Sequence, residues 1–146
     1  AASDVYKRQV LLIGTYKGFG KGSYTGCNVY YYKGGKVKKV GSLSDGRDIA
    51  LYTKKGQNYI NSGLSDEALY LCVKDGKSYL CAYYNSHNWK IDPDDKYEKC
   101  VIKKGGKVIK NYGYMDSRQY NTAKNSYRYK STVKFVKNTS ANRKRI

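Results

Sequence analysis

Leu69-Tyr70-Leu71-Cys72-Val73-Lys74-Asp75-Gly76-Lys77-Ser78-Tyr79-Leu80 reads as two strands joined by a tight turn. Asp-Gly suits a two-residue hairpin loop, because both central positions need φ > 0. With Asp75 and Gly76 as the loop, Lys74 faces Lys77, Val73 faces Ser78 and Leu71 faces Leu80. Leu69, Leu71, Val73, Leu80 and Ala82 then share one face, and Tyr70, Cys72, Tyr79, Cys81 and Tyr83 share the other. A slip of one residue would exchange the two sets, so burial specifies this register. Both faces carry side chains that seek cover. The pair is therefore expected near the centre of a sheet that is covered on both sides.

Three more segments repeat the pattern: Val29 to Val37 around Gly34-Gly35, Leu51 to Ile60 through Gly56, and Cys100 to Ile109 around Gly105-Gly106. Their flanks are rich in Tyr, Val, Ile and Leu, which fit a pleated surface. Upstream, Val10-Leu11-Leu12-Ile13-Gly14 is a short continuous apolar run and reads as a strand buried on both faces. A glycine-rich stretch from Thr15 to Gly26 follows. It lacks the order of a phosphate-binding loop and reads as a surface connection. Downstream, Asp116-Ser117-Arg118-Gln119 has capping-box form, and Tyr120, Ala123 and Tyr127 recur at helical spacing. A helix is expected over about 117–127, a strand over Thr132 to Val136, and then a basic tail. The fold class is mainly β: an antiparallel meander of hairpins, part of a propeller or an open barrel, with one short C-terminal helix. Residues 10–113 form the meander, and 114–146, a short helix, strand and basic tail, pack on or trail the same domain.

The 146 residues carry 29 Lys plus Arg against 11 Asp plus Glu, a formal charge of +18. In a meander the tight turns fall at one end of the sheet. That end would collect Lys33, Lys36, Lys38, Lys39, Lys54, Lys55, Lys74, Lys77, Lys103, Lys104 and Lys107. The loops at the other end would collect Asp45, Asp48, Asp66, Glu67, Asp92, Asp94, Asp95 and Glu98. A lysine-rich rim attracts polyanions. Lysines at turns and edges also keep sheets soluble and block edge pairing. Lysine far outnumbers arginine, which argues against bidentate, sequence-specific reading of nucleic acid and for diffuse electrostatics.

No catalytic constellation is visible. One His and no nucleophile with a base beside it leave an enzyme only a carboxylate pair that sequence spacing does not reveal. Cys27, Cys72, Cys81 and Cys100 contain no C-x-x-C pair. They can form two bridges or remain buried thiols, and Cys72 and Cys81 lie diagonally rather than face to face. Asp92-Pro93-Asp94-Asp95 lacks calcium-loop spacing and reads as a solvated acidic loop, so no metal site is assigned. His87 and Trp89 share the loop Asn85 to Lys90 and form a ligand-contact candidate. Tyr30, Tyr31 and Tyr32, with Tyr83 and Tyr84, either stack on a glycan or pack on the sheet. No apolar run approaches the roughly 20 residues of a membrane-spanning helix.

The order Leu-Leu-Ile-Gly, a glycine-rich gap, then Val-Tyr-Tyr-Tyr-Lys-Gly-Gly-Lys-Val-Lys-Lys-Val-Gly-Ser resembles Tyr- and Lys-rich secreted or lipid-anchored proteins of Gram-positive anaerobes related to FG-GAP/VCBS-type propeller repeats. The resemblance implies a secreted or cell-surface location, and the lack of a catalytic arrangement leads to the expectation of a non-enzymatic module. In that family a calcium-binding loop precedes the Leu-Leu-Ile-Gly strand. Here that position holds Asp4-Val5-Tyr6-Lys7-Arg8-Gln9, which resembles in-frame read-through of a sequencing adapter, so residues 1–9 are set apart from the fold. No cofactor is assigned to this chain, and calcium is implied only through such an upstream loop. The expected partners are anionic cell-wall polymers or glycans, or a protein, held by the lysine rim. The alternative is an intracellular basic protein that binds nucleic acid non-specifically.

Overall fold

A computed structural model describes residues 10–18, 22–44, 47–63, 67–74, 76–88, 92–103, 108–115, 117–137 and 139–143, with backbone alone at 67, 84–88, 92–103, 108–115, 117 and 142–143. The chain runs β1 (Val10–Lys17), β2 (Tyr24–Lys33), β3 (Lys36–Ser44), β4 (Ala50–Lys54), β5 (Gln57–Ser62), β6 (Glu67–Lys74), β7 (Lys77–Asn88), β8 (Asp92–Lys103), β9 (Val108–Met115), α1 (Ser117–Asn125), β10 (Arg128–Thr132) and the single turn α2 (Ser140–Arg143). The fold is mainly β, built of antiparallel hairpins with one short helix that packs on a sheet.

The meander is divided between two sheets. β1-β2-β3 form the smaller, and β10-β4-β5-β6-β7-β8-β9 form the larger. β9 and β10, the edges of the larger sheet, are not paired with each other, so it stays open. β6 and β7 lie at its centre in the expected register, with Leu71 opposite Leu80, Val73 opposite Ser78 and Lys74 opposite Lys77.

Each face of that central hairpin has its own cover. Leu69, Leu71, Val73 and Ala82 meet Val10, Leu12, Val29 and Leu43 of the smaller sheet in one apolar core. Ser78, the polar member of this face, donates its hydroxyl hydrogen bond to the carbonyl of Val40, which sits at a bulge in β3. On the other face, Tyr70 and Tyr83 pack against Tyr120 of α1 and Tyr127 just beyond it. The connection through α1 carries the chain from the β9 edge to the β10 edge, so its tyrosines cover the middle of the sheet.

Four local readings are corrected. β1 is not buried on both faces: Val10 and Leu12 are buried while Leu11 and Ile13 are exposed, because β1 is the edge of a sheet covered on one side. The polar segment Asn85–Asn88 is not a loop but the end of β7, and Asp92 to Asp95 begin β8. Their ladder continues past the last apolar pair, with Ser86 opposite Lys96 and Asn88 opposite Asp92. Pro93 is tolerated because β9 pairs with β8 only from Tyr97 onward. The helix stops at Asn125, two residues early, and Tyr127 N–H bonds to the Lys124 carbonyl. The last strand is Arg128–Thr132, not 132–136.

Residues 133–136 still alternate as an extended segment does. Val133 is buried and Phe135 half-buried, both against the inter-sheet core. Their N–H groups bond to the carbonyls of Ile49 and Gly22, at 2.8 and 2.9 Å, rather than to a neighbouring strand. Ile49 in turn donates to Tyr24. This segment straps the two sheets together.

Leu71→Ala should cost about 2–5 kcal/mol, because Leu71 fills the space between the sheets. Leu11→Ala, on the exposed side of an edge strand, should change stability by no more than about 0.5 kcal/mol. Urea unfolding of both variants checks the assignment of faces.

Candidate functional site

Antiparallel pairing puts the β4–β5, β6–β7 and β8–β9 connections at one end of the larger sheet. The β2–β3 turn belongs to the other sheet, yet it comes to the same end. Tyr31 packs so closely on Gly76 that a Cβ there would lie 3.1 Å from the Tyr31 ring. Gly76 also has φ 69°, which favours glycine, and a Cβ there would push the Tyr31 ring back by a few tenths of an ångström. Tyr31 is two residues from Lys33 and opposite Lys38. The β2–β3 and β6–β7 turns are therefore neighbours, and Lys33, Lys36, Lys38, Lys74 and Lys77 are all exposed there.

Lys55 is exposed in the β4–β5 turn, with φ 49°. Lys54 is half-buried, and its ammonium lies 4.4 Å from the centre of the Tyr127 ring, so part of its charge is engaged by the tyrosine layer. Lys103 ends β8 opposite Tyr79, close to the start of β7. Lys104, Lys107 and Trp89 lie outside the described residues. His87 belongs to β7, and its side chain is not described.

The opposite end is less uniform than its acidic reading. Asp48 lies there in the β3–β4 connection beside the exposed Arg47. Glu67 and Asp92 begin β6 and β8 at this end, while Asp45 and Asp66 lie outside the described residues. Register sets Glu67 and Glu98 level with each other on either side of Tyr84. Lys124 of α1 stands over the Tyr120 ring at 5.0 Å, and burial, then Arg47, lowers its pKa.

The tyrosine layer is the part least visible in the sequence. Tyr70 and Tyr127 stack with ring centres 3.8 Å apart, and Tyr83 meets both edge-on. Tyr83 and Tyr127 share a hydrogen bond between hydroxyls at 3.3 Å. Tyr83, 0 % exposed, thus packs and offers no stacking surface to a glycan. Tyr32, half exposed, lies on the outer side of the smaller sheet. The shared face of Tyr70 and Tyr83 and the helical spacing of Tyr120 and Tyr127 each signalled half of the layer, but not that the two halves meet.

Cys27, Cys72 and Cys81 are free thiols. Register places Cys72 opposite Tyr79 and Cys81 opposite Tyr70, the diagonal arrangement expected. Burial pushes Cys27 up to about 12, partly offset by a backbone hydrogen bond from Leu43. Among the described residues no group of His, Cys, Asp or Glu is placed to hold a metal ion. No helix among them is long and apolar enough to cross a membrane.

The buried phenols set a pH dependence. Burial raises the pKa of Tyr70, Tyr83 and Tyr127, as it does for Cys27. These groups are neutral in both states below their ordinary values of 9.0 for thiol and 10.0 for phenol. Above them the unfolded chain ionises first, so stability falls as pH rises towards the folded values. The urea midpoint should be lower at about pH 10.5 than at about pH 7. Tyr127→Phe should flatten that fall, while costing about 1 kcal/mol at neutral pH through the lost hydroxyl pair.

Compared with protein-family models, curated proteins and solved structures, the chain gives no match.

Proposed function

We propose that this chain is a non-enzymatic module of a bacterial cell surface, related to FG-GAP/VCBS-type repeats, that binds anionic polymers through its lysine end. The observation that carries the reading is the seating of Tyr31 on Gly76. It brings lysines of two sheets to one surface, where several anionic groups of a polymer can be met together. The energy of such contacts comes largely from release of counterions, and it needs neither a pocket nor a fixed geometry.

Lys55 adds support. It holds a left-handed backbone at a turn position where Asn or Gly is less strained. A lysine at that cost suits a site that uses its charge. The scarcity of arginine favours a repeating polymer of phosphate or sulfate over a nucleic acid read by its bases.

The test is binding to a poly(glycerol phosphate) polymer across a salt series. Lys33→Glu, Lys36→Glu, Lys74→Glu and Lys77→Glu together should lower affinity at least about tenfold at moderate salt and flatten the slope of log K against log salt by about 0.9 for each lost contact. The fold should persist, since all four side chains are exposed. Unchanged binding at moderate salt would contradict the proposal. Preference for single-stranded nucleic acid over the polymer would favour the intracellular reading.

A further inference from the structure

The lysine end has an apolar margin that polymer binding does not use. Tyr32 and Val37 are direct cross-strand neighbours, one pair from the Gly34–Gly35 turn, and are 50 % and 62 % exposed. On the same outer face, Tyr30 follows Tyr32 along β2, and Leu11 lies opposite Tyr30. Leu11 and Ile13, also on this face, are 37 % and 46 % exposed. An uncovered apolar strip thus runs from the tip of the β2–β3 hairpin along the outside of the smaller sheet. Contiguous exposed apolar side chains of this kind mark contact surfaces.

Charge narrows the occupant. Lys33 and Lys36 flank the tip, Lys39 lies opposite Tyr30, and Lys74 and Lys77 stand on the adjoining turn. A second copy, itself at +18, would set lysine against lysine. A soluble phosphate polymer would leave Val37 and Leu11 in water. A bilayer with anionic lipids offers phosphate for the lysines and an acyl boundary for the strip. Tyrosine favours that boundary, and lysine stems lie along apolar surface while the ammonium stays in water. A Cβ at Gly34 or Gly35 would meet nothing within 4 Å, so no neighbouring group crowds the turn itself.

We infer that the β2–β3 tip seats on an anionic bilayer surface, with Tyr32 and Val37 entering the headgroup layer and the flanking lysines on lipid phosphates. The inference uses the lysine end of the proposed function but adds an apolar contact that the polymer reading lacks.

The experiment is co-sedimentation of the full chain with vesicles of phosphatidylglycerol and phosphatidylcholine in equal parts, with vesicles of phosphatidylcholine alone as control. Binding is expected only with the anionic lipid. Tyr32→Ser with Val37→Ser should weaken it about tenfold and leave affinity for soluble polyphosphate unchanged. Charge reversal at Lys33 and Lys36 should weaken both. Tyr32→Trp in a Trp89→Phe background should show a blue shift of emission with anionic vesicles, a readout that survives if the serine variant folds poorly. No binding to anionic vesicles at low salt overturns the inference. So does equal binding by the folded serine variant, which would leave electrostatics alone. Concentration-dependent self-association abolished by the serine pair would instead assign the strip to a second copy.

Discussion

The β6–β7 hairpin has no face to spare for water, and the rest of the fold follows from that constraint. Aliphatic side chains on one side and tyrosines on the other require two different covers. Strand alternation separates the sets, and pairing Leu71 with Leu80 holds them apart. The aliphatic side closes against the smaller sheet. The tyrosine side closes under α1, where rings pack and hydroxyls bond to one another. Moving the register by one residue would present tyrosine hydroxyls to an aliphatic core and valine to a tyrosine layer, so both covers would fail together.

The same constraint orders the surface. Once the smaller sheet must lie over β6 and β7, the β2–β3 hairpin has to end near the β6–β7 turn, and Tyr31 fits the space that Gly76 leaves. Lysines distant in sequence become neighbours because the two sheets stack. The electrostatic character of that end is a by-product of how the core is closed. It persists while both sheets remain stacked, and it is lost if the smaller sheet separates.

Much of this was legible in the residues, and the failures have physical causes. The central register could be read because both faces of the hairpin are apolar or aromatic and Asp-Gly fixes the loop. The helix could be read from the spacing of Tyr120, Ala123 and Tyr127. The division of the meander after β3 could not: hairpins announce their turns, but nothing in β3 or β4 says whether they pair. Ile49, in the connection between them, bonds to β2 and receives Val133 instead. Asn85 to Asn88 and Asp92 to Asp95 were misread because polar composition signals a loop only where no strand lies alongside, and β7 and β8 each extend for 12 residues. The lysine end was read from turn composition, with Lys54 turned to Tyr127 instead. The apolar strip beside it was hidden in what looked like a strand buried on both sides.

The central claim is that a ligand meets the lysines of two sheets at one end. Backbone amide shifts in a heteronuclear NMR titration with polyphosphate test it most directly. The account predicts perturbations grouped at residues 33–38 and 74–77, in β2, β3, β6 and β7. Perturbations centred instead on Arg47, Arg118 and Lys124, at the other end and on α1, would contradict it.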